Sequence, residues 1–260
     1  MKKLIIAAFT FLFIATGCQQ KPKTNKASTV KPIEKNLSEK IENAHQKKAF
    51  LKNEAIRFDA AITFGGKEIF NANITITTAS DLAKITYKDG NEIYVNQQNI
   101  FVSPNLKENP GVRFHAYTWS YFFLFPYKLN DNGTEWDFNF NTKETKNPLN
   151  TAKLSFKANT GDAPDDWYIT YSNNNNVLQH VAYIVTSGKT KAEAEADPHA
   201  IKYINYKNIN GIPFASQWEF YEWNLNDGLT NKIGTGNITN IQFVKDFRAN
   251  FSIPKDYIKK

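Results

Sequence analysis

Past Lys52 the apolar positions of this chain fall into a period of two. Ile56, Phe58, Ala60, Ile62 and Phe64 alternate with polar or small residues, Gly65-Gly66 turns the chain, and residues 69–78 return. That is the pattern of strands with one buried face, joined by hairpin chemistry. The same grammar repeats at 81–87 before Asp89-Gly90, at 92–95 before Gln97-Gln98, and at 100–102 before Pro104. After a gap it resumes at 134–140, 152–158, 167–171, 177–187, 199–206, 213–223 and 233–247, with Asn210-Gly211 and Asp227-Gly228 where turns are needed. No long helical stretch separates these strands, as a parallel sheet would require. The pattern predicts a mainly β domain, an antiparallel meander of about eleven strands with two or three helices.

The helices are few and each has its own signal. Asn36-Leu37-Ser38-Glu39 has capping-box form, and Leu37, Ile41 and Ala44 follow at helical spacing, which predicts an amphipathic helix opening the domain and ending near Phe50. His45 lies one residue past that apolar stripe. With no second His or Cys at i+3 or i+4, it reads as an interface histidine rather than a ligand. Residues 114–126 carry apolar or aromatic side chains on nearly every face, with no Gly or Pro before Pro126. They predict a buried or half-buried helix of about three turns, too short to cross a bilayer. Residues 189–196, bounded by Asp197-Pro198, add about two further turns.

The aromatic helix leaves two readings open, because large rings dominate both cores and pockets. Its rings complete the core, or they line a cavity that admits something apolar. The candidates for a cavity lining are Phe114, Tyr117, Trp119, Tyr121, Phe122 and Phe125 on the helix, with Trp136, Trp167, Trp218 and Phe220 on strands.

Before the domain, Met1-Lys2-Lys3 is a positive start and Leu4 to Ile14 an uncharged run of about eleven residues, against the roughly 20 of a spanning helix. Ala15-Thr16-Gly17-Cys18 then closes the run with the one cysteine of the chain. Residues 14–18 resemble a bacterial lipobox, with Ala15 in place of the usual Leu. The resemblance implies cleavage before Cys18, acylation of Cys18, and a protein anchored to a membrane without spanning it. The expected organisation is a signal peptide at 1–17, an acylated cysteine with a flexible basic tether at 18–35, and one β-rich domain at 36–260.

Charge supports that division. The chain carries a net charge of +7. Lys2 and Lys3 belong to the signal, and the tether holds Lys21, Lys23, Lys26, Lys31 and Lys35 against Glu34, so the folded part is left at +1. A nucleic-acid binder would concentrate basic charge on its folded face, so none is expected as a partner. A basic tether suits anionic headgroups, and equally suits a solvated linker with no role. Gln19 stands where an Asp would, by the enterobacterial sorting rule, favour inner-membrane retention, and no acidic run follows Cys18. An outer-membrane anchor facing the periplasm is therefore expected, with the protein a monomer.

The densest local code is Gly161-Asp162-Ala163-Pro164-Asp165-Asp166-Trp167-Tyr168. Asp162, Asp165 and Asp166 could offer oxygens to a hard cation such as Ca²⁺. They serve equally well to cap backbone amides at a corner that directs Trp167 inward, and that is the preferred reading, with no metal. Nothing in the chain has the form of a nucleophile elbow, a His-Glu-x-x-His zinc motif or a phosphate loop. His115, His180 and His199 are scattered, so no enzyme and no cofactor is expected.

That aspartate stretch, together with Ala182-Tyr183-Ile184-Val185-Thr186, Asn210-Gly211-Ile212-Pro213, Phe220-Tyr221-Glu222-Trp223 and Ile233-Gly234, resembles a family of Bacteroidota lipoproteins for which no functional residue is established. The strand order with an opening helix is similar to the LolA-like and LolB-like lipoprotein carriers and receptors. The resemblance implies an unclosed antiparallel β-barrel with covering helices over a cavity for acyl chains. Handling of lipid or lipoprotein at the envelope is then the expected function. The alternatives are an interaction lipoprotein with a filled core and, less favoured, a Ca²⁺-binding module.

Overall fold

The computed structural model describes residues 36–140, 142 and 149–260; the signal segment, Cys18 and the tether expected from the sequence lie outside the described residues. The first strand, β1 (Ala55–Phe64), sits mid-sheet, between its hairpin partner β2 (Lys67–Thr77) and a strand from near the far end of the chain. From β2 a meander runs through β3 (Leu82–Tyr87), β4 (Glu92–Asn96) and β5 (Asn99–Val102). A second meander comprises β6 (Thr134–Asp137), β7 (Asn150–Phe156), β8 (Tyr168–Ser172), β9 (Leu178–Tyr183), β10 (His199–Ile209), β11 (Ile212–Asn224) and β12 (Gly228–Val244). β12 pairs with both β11 and β1 and so joins the two meanders, while β13 (Ile258–Lys259) pairs with β5. The result is one 13-stranded antiparallel sheet whose ends, β13 and β6, do not pair with each other. Among the described residues it is an unclosed barrel with covering helices, as the resemblance to LolA-like proteins implies, with thirteen strands where about eleven are expected.

Alternation sets the faces. Along β1, Ile56, Phe58, Ala60 and Ile62 are buried, and Arg57 is exposed. Two glycines of β12 allow close contact with β1 and β11. A Cβ on Gly234 would lie 2.6 Å from the Thr63 carbonyl oxygen, and one on Gly236 would lie 2.9 Å from Ile62 Cδ1 and 3.2 Å from the Trp218 ring. At Gly234, where the obstacle is backbone, only hydrogen fits.

The opening helix is two helices, α1 (Leu37–Ala44) and α2 (Lys47–Phe50), because Gln46 adopts left-handed backbone angles (φ 59, ψ 38). Asn36 caps α1 through its side-chain oxygen, which accepts from the Glu39 N–H at 3.0 Å. His45, at the break, is buried, and its Nε2 accepts from the Leu178 N–H at 3.1 Å, tying α1 to β9.

The crossing between the two meanders is made by α3 (Val112–Leu124) and a 3-10 turn at Phe125–Tyr127. Its all-round apolar character has a physical cause, since it is flanked on more than one side. Phe123 stacks on Phe58 at 3.8 Å and on Phe214 at 5.4 Å, and Trp119 packs against Phe70 and Phe220. Each fully buried ring of this kind contributes about 1.5–3 kcal/mol. The Tyr203 hydroxyl donates to the Phe122 carbonyl at 3.0 Å, fixing the end of α3 over β10. A short helix, α4 (Lys191–Glu195), starts at Thr190 with a full capping box.

Candidate functional site: a cavity against the aromatic helix

The stripe Arg113, Tyr117, Ser120, Tyr121 and Leu124 repeats at helical spacing on α3 and lines a cavity of 740 Å³. The cavity walls come from both meanders. On one side Ile76, Ala83 and Val95 stand in one transverse row, since Ala83 pairs with Ile76 across β2–β3 and with Val95 across β3–β4. On the other, Tyr168 and Tyr183 are register partners across β8–β9, with Phe156 beside them. The row on the first side is small and aliphatic, while the row on the second is aromatic. The sheet register places these two rows on the same cavity.

The rim is polar and paired. Arg113 Nε donates to both oxygens of Asp162 at 2.9 and 3.0 Å, and its Nη2 also reaches Asp162. The neighbouring carboxylate holds the guanidinium above its ordinary pKa, and the same guanidinium lies 5.5 Å from the Tyr117 ring centre. Lys128 pairs with Asp131 at 2.5 Å and donates to Ser80 Oγ at 2.7 Å. Asp166 is buried and accepts from the Thr186 N–H and hydroxyl at 2.8 and 2.7 Å; burial pushes its carboxyl up, and those bonds pull against the shift.

Of the aromatic residues singled out in the sequence, Phe114, Tyr117, Tyr121 and Phe122 line the cavity. Trp119, Phe125, Trp218 and Phe220 lie buried in the main core, Trp119 with its indole N–H donating to His115 Nδ1 at 2.9 Å. Trp136 donates to the Leu129 carbonyl at 2.8 Å and stacks on Phe138. Trp167 belongs to a separate apolar cluster with Ile169, Ala182 and Trp223. Alternation puts that cluster on the sheet face opposite Tyr168 and Tyr183. Sequence reasoning missed Ala83, Val95 and Ser120, whose small side chains give no signal until the register aligns them.

The three aspartates do not gather. Asp162 is taken by Arg113 and Asp166 by Thr186, while Asp165 is exposed, and no group of three or more His, Cys, Asp or Glu is placed to hold a metal among the described residues. No histidine is among the residues lining the cavity, and Ser120 Oγ has no hydrogen-bond partner among the described residues. No helix among the described residues is long and apolar enough to cross a membrane.

No protein-family model and no curated protein matches the chain. Among solved structures it is similar to a LolA superfamily protein from Nitrosomonas europaea, at 10% identity and TM-score 0.49 over 82% of this chain and 94% of that one. It is similar also to a domain from Vibrio parahaemolyticus named for outer-membrane lipoprotein sorting, at 13% identity and TM-score 0.48 over 83% and 98% of the two chains. A DUF1329 family protein from Desulfovibrio piger matches at 9% identity and TM-score 0.43 over 82% and 96%.

Proposed function

We propose that this protein binds the apolar chain of a lipid or lipoprotein in the cavity beside α3. It does so while held by an acylated Cys18 to a membrane of the cell envelope, the outer membrane on its periplasmic side. The cavity itself supports the reading most directly. Its 740 Å³ falls within the roughly 300–1,000 Å³ typical of small-molecule sites. Its walls carry an aliphatic row on one side and an aromatic row on the other, and the charged groups Arg113 and Lys128 in its lining are each paired with a carboxylate. A scaffold protein with a filled interior has no use for such a space, because an unfilled apolar cavity costs stability.

The test uses the Cys18→Ser variant, so that acyl chains of the anchor itself are not scored. Protein purified without detergent is extracted with organic solvent and the extract examined by mass spectrometry. A stoichiometric lipid or acyl species is expected. An empty extract, together with no uptake of an environment-sensitive fatty-acid probe, overturns the proposal.

A further inference from the structure

Two hydroxyls on the cavity side of α3 are left without partners among the described residues. Tyr117 and Ser120 stand at i and i+3, so their side chains leave the same face of the helix. Both line the cavity, and the Tyr117 phenol oxygen and Ser120 Oγ are buried with no hydrogen bond among the described residues. Ser120 is only 4% exposed. A helix serine can bond back to the carbonyl one turn earlier, and Ser120 does not. Phe and Ala at these positions would keep the shape and remove the cost of two buried, unpaired hydroxyls. The pair is suited to an acceptor brought by a ligand.

The charges around the cavity select the kind of acceptor. Its lining cations are Arg113, which is held by Asp162, and Lys128, which is held by Asp131. A carboxylate or phosphate would have to break one of these pairs to find a counter-ion, whereas a neutral carbonyl would not. We infer that the cavity takes an acyl ester or amide, whose carbonyl oxygen accepts from the Tyr117 and Ser120 hydroxyls while the chain lies between Ala83 and Tyr168. This rests on the reading of the cavity as a lipid site and specifies the ligand class.

Methyl laurate, laurate and tridecane are comparable in chain and differ in head. Each is titrated against the purified protein carrying a polarity-sensitive dye, and displacement is read by fluorescence. Methyl laurate is expected to displace best. Tyr117→Phe and Ser120→Ala should each weaken the ester about five-fold, the effect of one lost hydrogen bond, and leave tridecane unchanged. The double variant should lose the preference for the ester. Equal binding of ester and alkane to the native protein, or laurate binding best, overturns the carbonyl assignment while the lipid site stands. Loss of all three ligands in the variants, with a lowered melting temperature, shows a structural role for the hydroxyls and overturns it too. If the native protein binds neither dye nor any of the three, the lipid site falls and the inference with it.

Discussion

Arg113 grips Asp162 through both carboxylate oxygens and so ties the first turn of α3 to the loop between β7 and β8, at the rim of the cavity. The pair is about half-exposed, so its worth to stability is small, about 0–1 kcal/mol. Its greater effect should be on exchange. Asp162→Asn is expected to leave the melting temperature nearly unchanged and to speed release of a bound fatty-acid probe, measured by stopped-flow dilution. Unchanged release would show that the pair does not restrain the rim.

Small wall residues set the width of the cavity. Ala83 is buried and lines it in register with Ile76 and Val95. Ala83→Phe should occupy the space that a chain needs, and it should weaken probe binding by at least about ten-fold, a loss of roughly 1.4 kcal/mol. The melting temperature of the unliganded protein decides the interpretation, since a large fall would indicate overpacking.

Gly234 tests the join between the meanders. With the Thr63 carbonyl 2.6 Å from where its Cβ would be, Gly234→Ala should lower unfolding free energy by about 1–3 kcal/mol, read by urea titration. Gly161→Ala is the control. Gly161 has a positive φ of 66 but no neighbour within 4 Å, so its cost should be confined to backbone strain, about 1 kcal/mol.

Buried His45 makes stability depend on pH. Desolvation lowers its pKa from 6.5 to about 4, so the folded state keeps it neutral while the unfolded chain protonates. Above pH 6.5 the folded state carries no penalty from it. As pH falls from 6.5 towards 4 the unfolded state gains protons the folded state refuses, and about 3 kcal/mol should be lost, the loss levelling off below pH 4. Burial lowers His180 further, to about 3, with the Lys202 charge adding to the effect, and its penalty continues below that point. Replacing His45 by Gln keeps an acceptor for the Leu178 N–H and should roughly halve the slope between pH 6.5 and 4, leaving the part that His180 contributes. An unchanged slope in urea midpoints would remove His45 as its source.

Local rules made much of this fold legible, and long-range ones did not. The alternation of Ile56, Phe58, Ala60 and Ile62 and the turns at Gly65-Gly66 and Asn210-Gly211 identify hairpins because both signals act over a few residues. The left-handed Gln46 that splits the first helix has no such signal, since glutamine is not a residue that favours this conformation. Nor does any local pattern state that β1 pairs with β12, or that Ile258–Lys259 would find β5. The site divides the same way. Phe114, Tyr117, Tyr121 and Phe122 stood out by composition, whereas Ala83, Val95 and Ser120 became recognisable only when the register and the helix face placed them around one space.

The pairing of Ala55 with Val244 also orders events in time. A chain made from its amino end completes the β1–β5 meander early, but β1 then waits as an open edge, with unpaired N–H and C=O groups, until nearly the whole sequence has been produced. Closing so long a loop is slow for entropic reasons. Any sheet formed by β1–β5 before β12 is made exposes the edge of β1, and aggregation through that edge is the hazard this topology carries during synthesis.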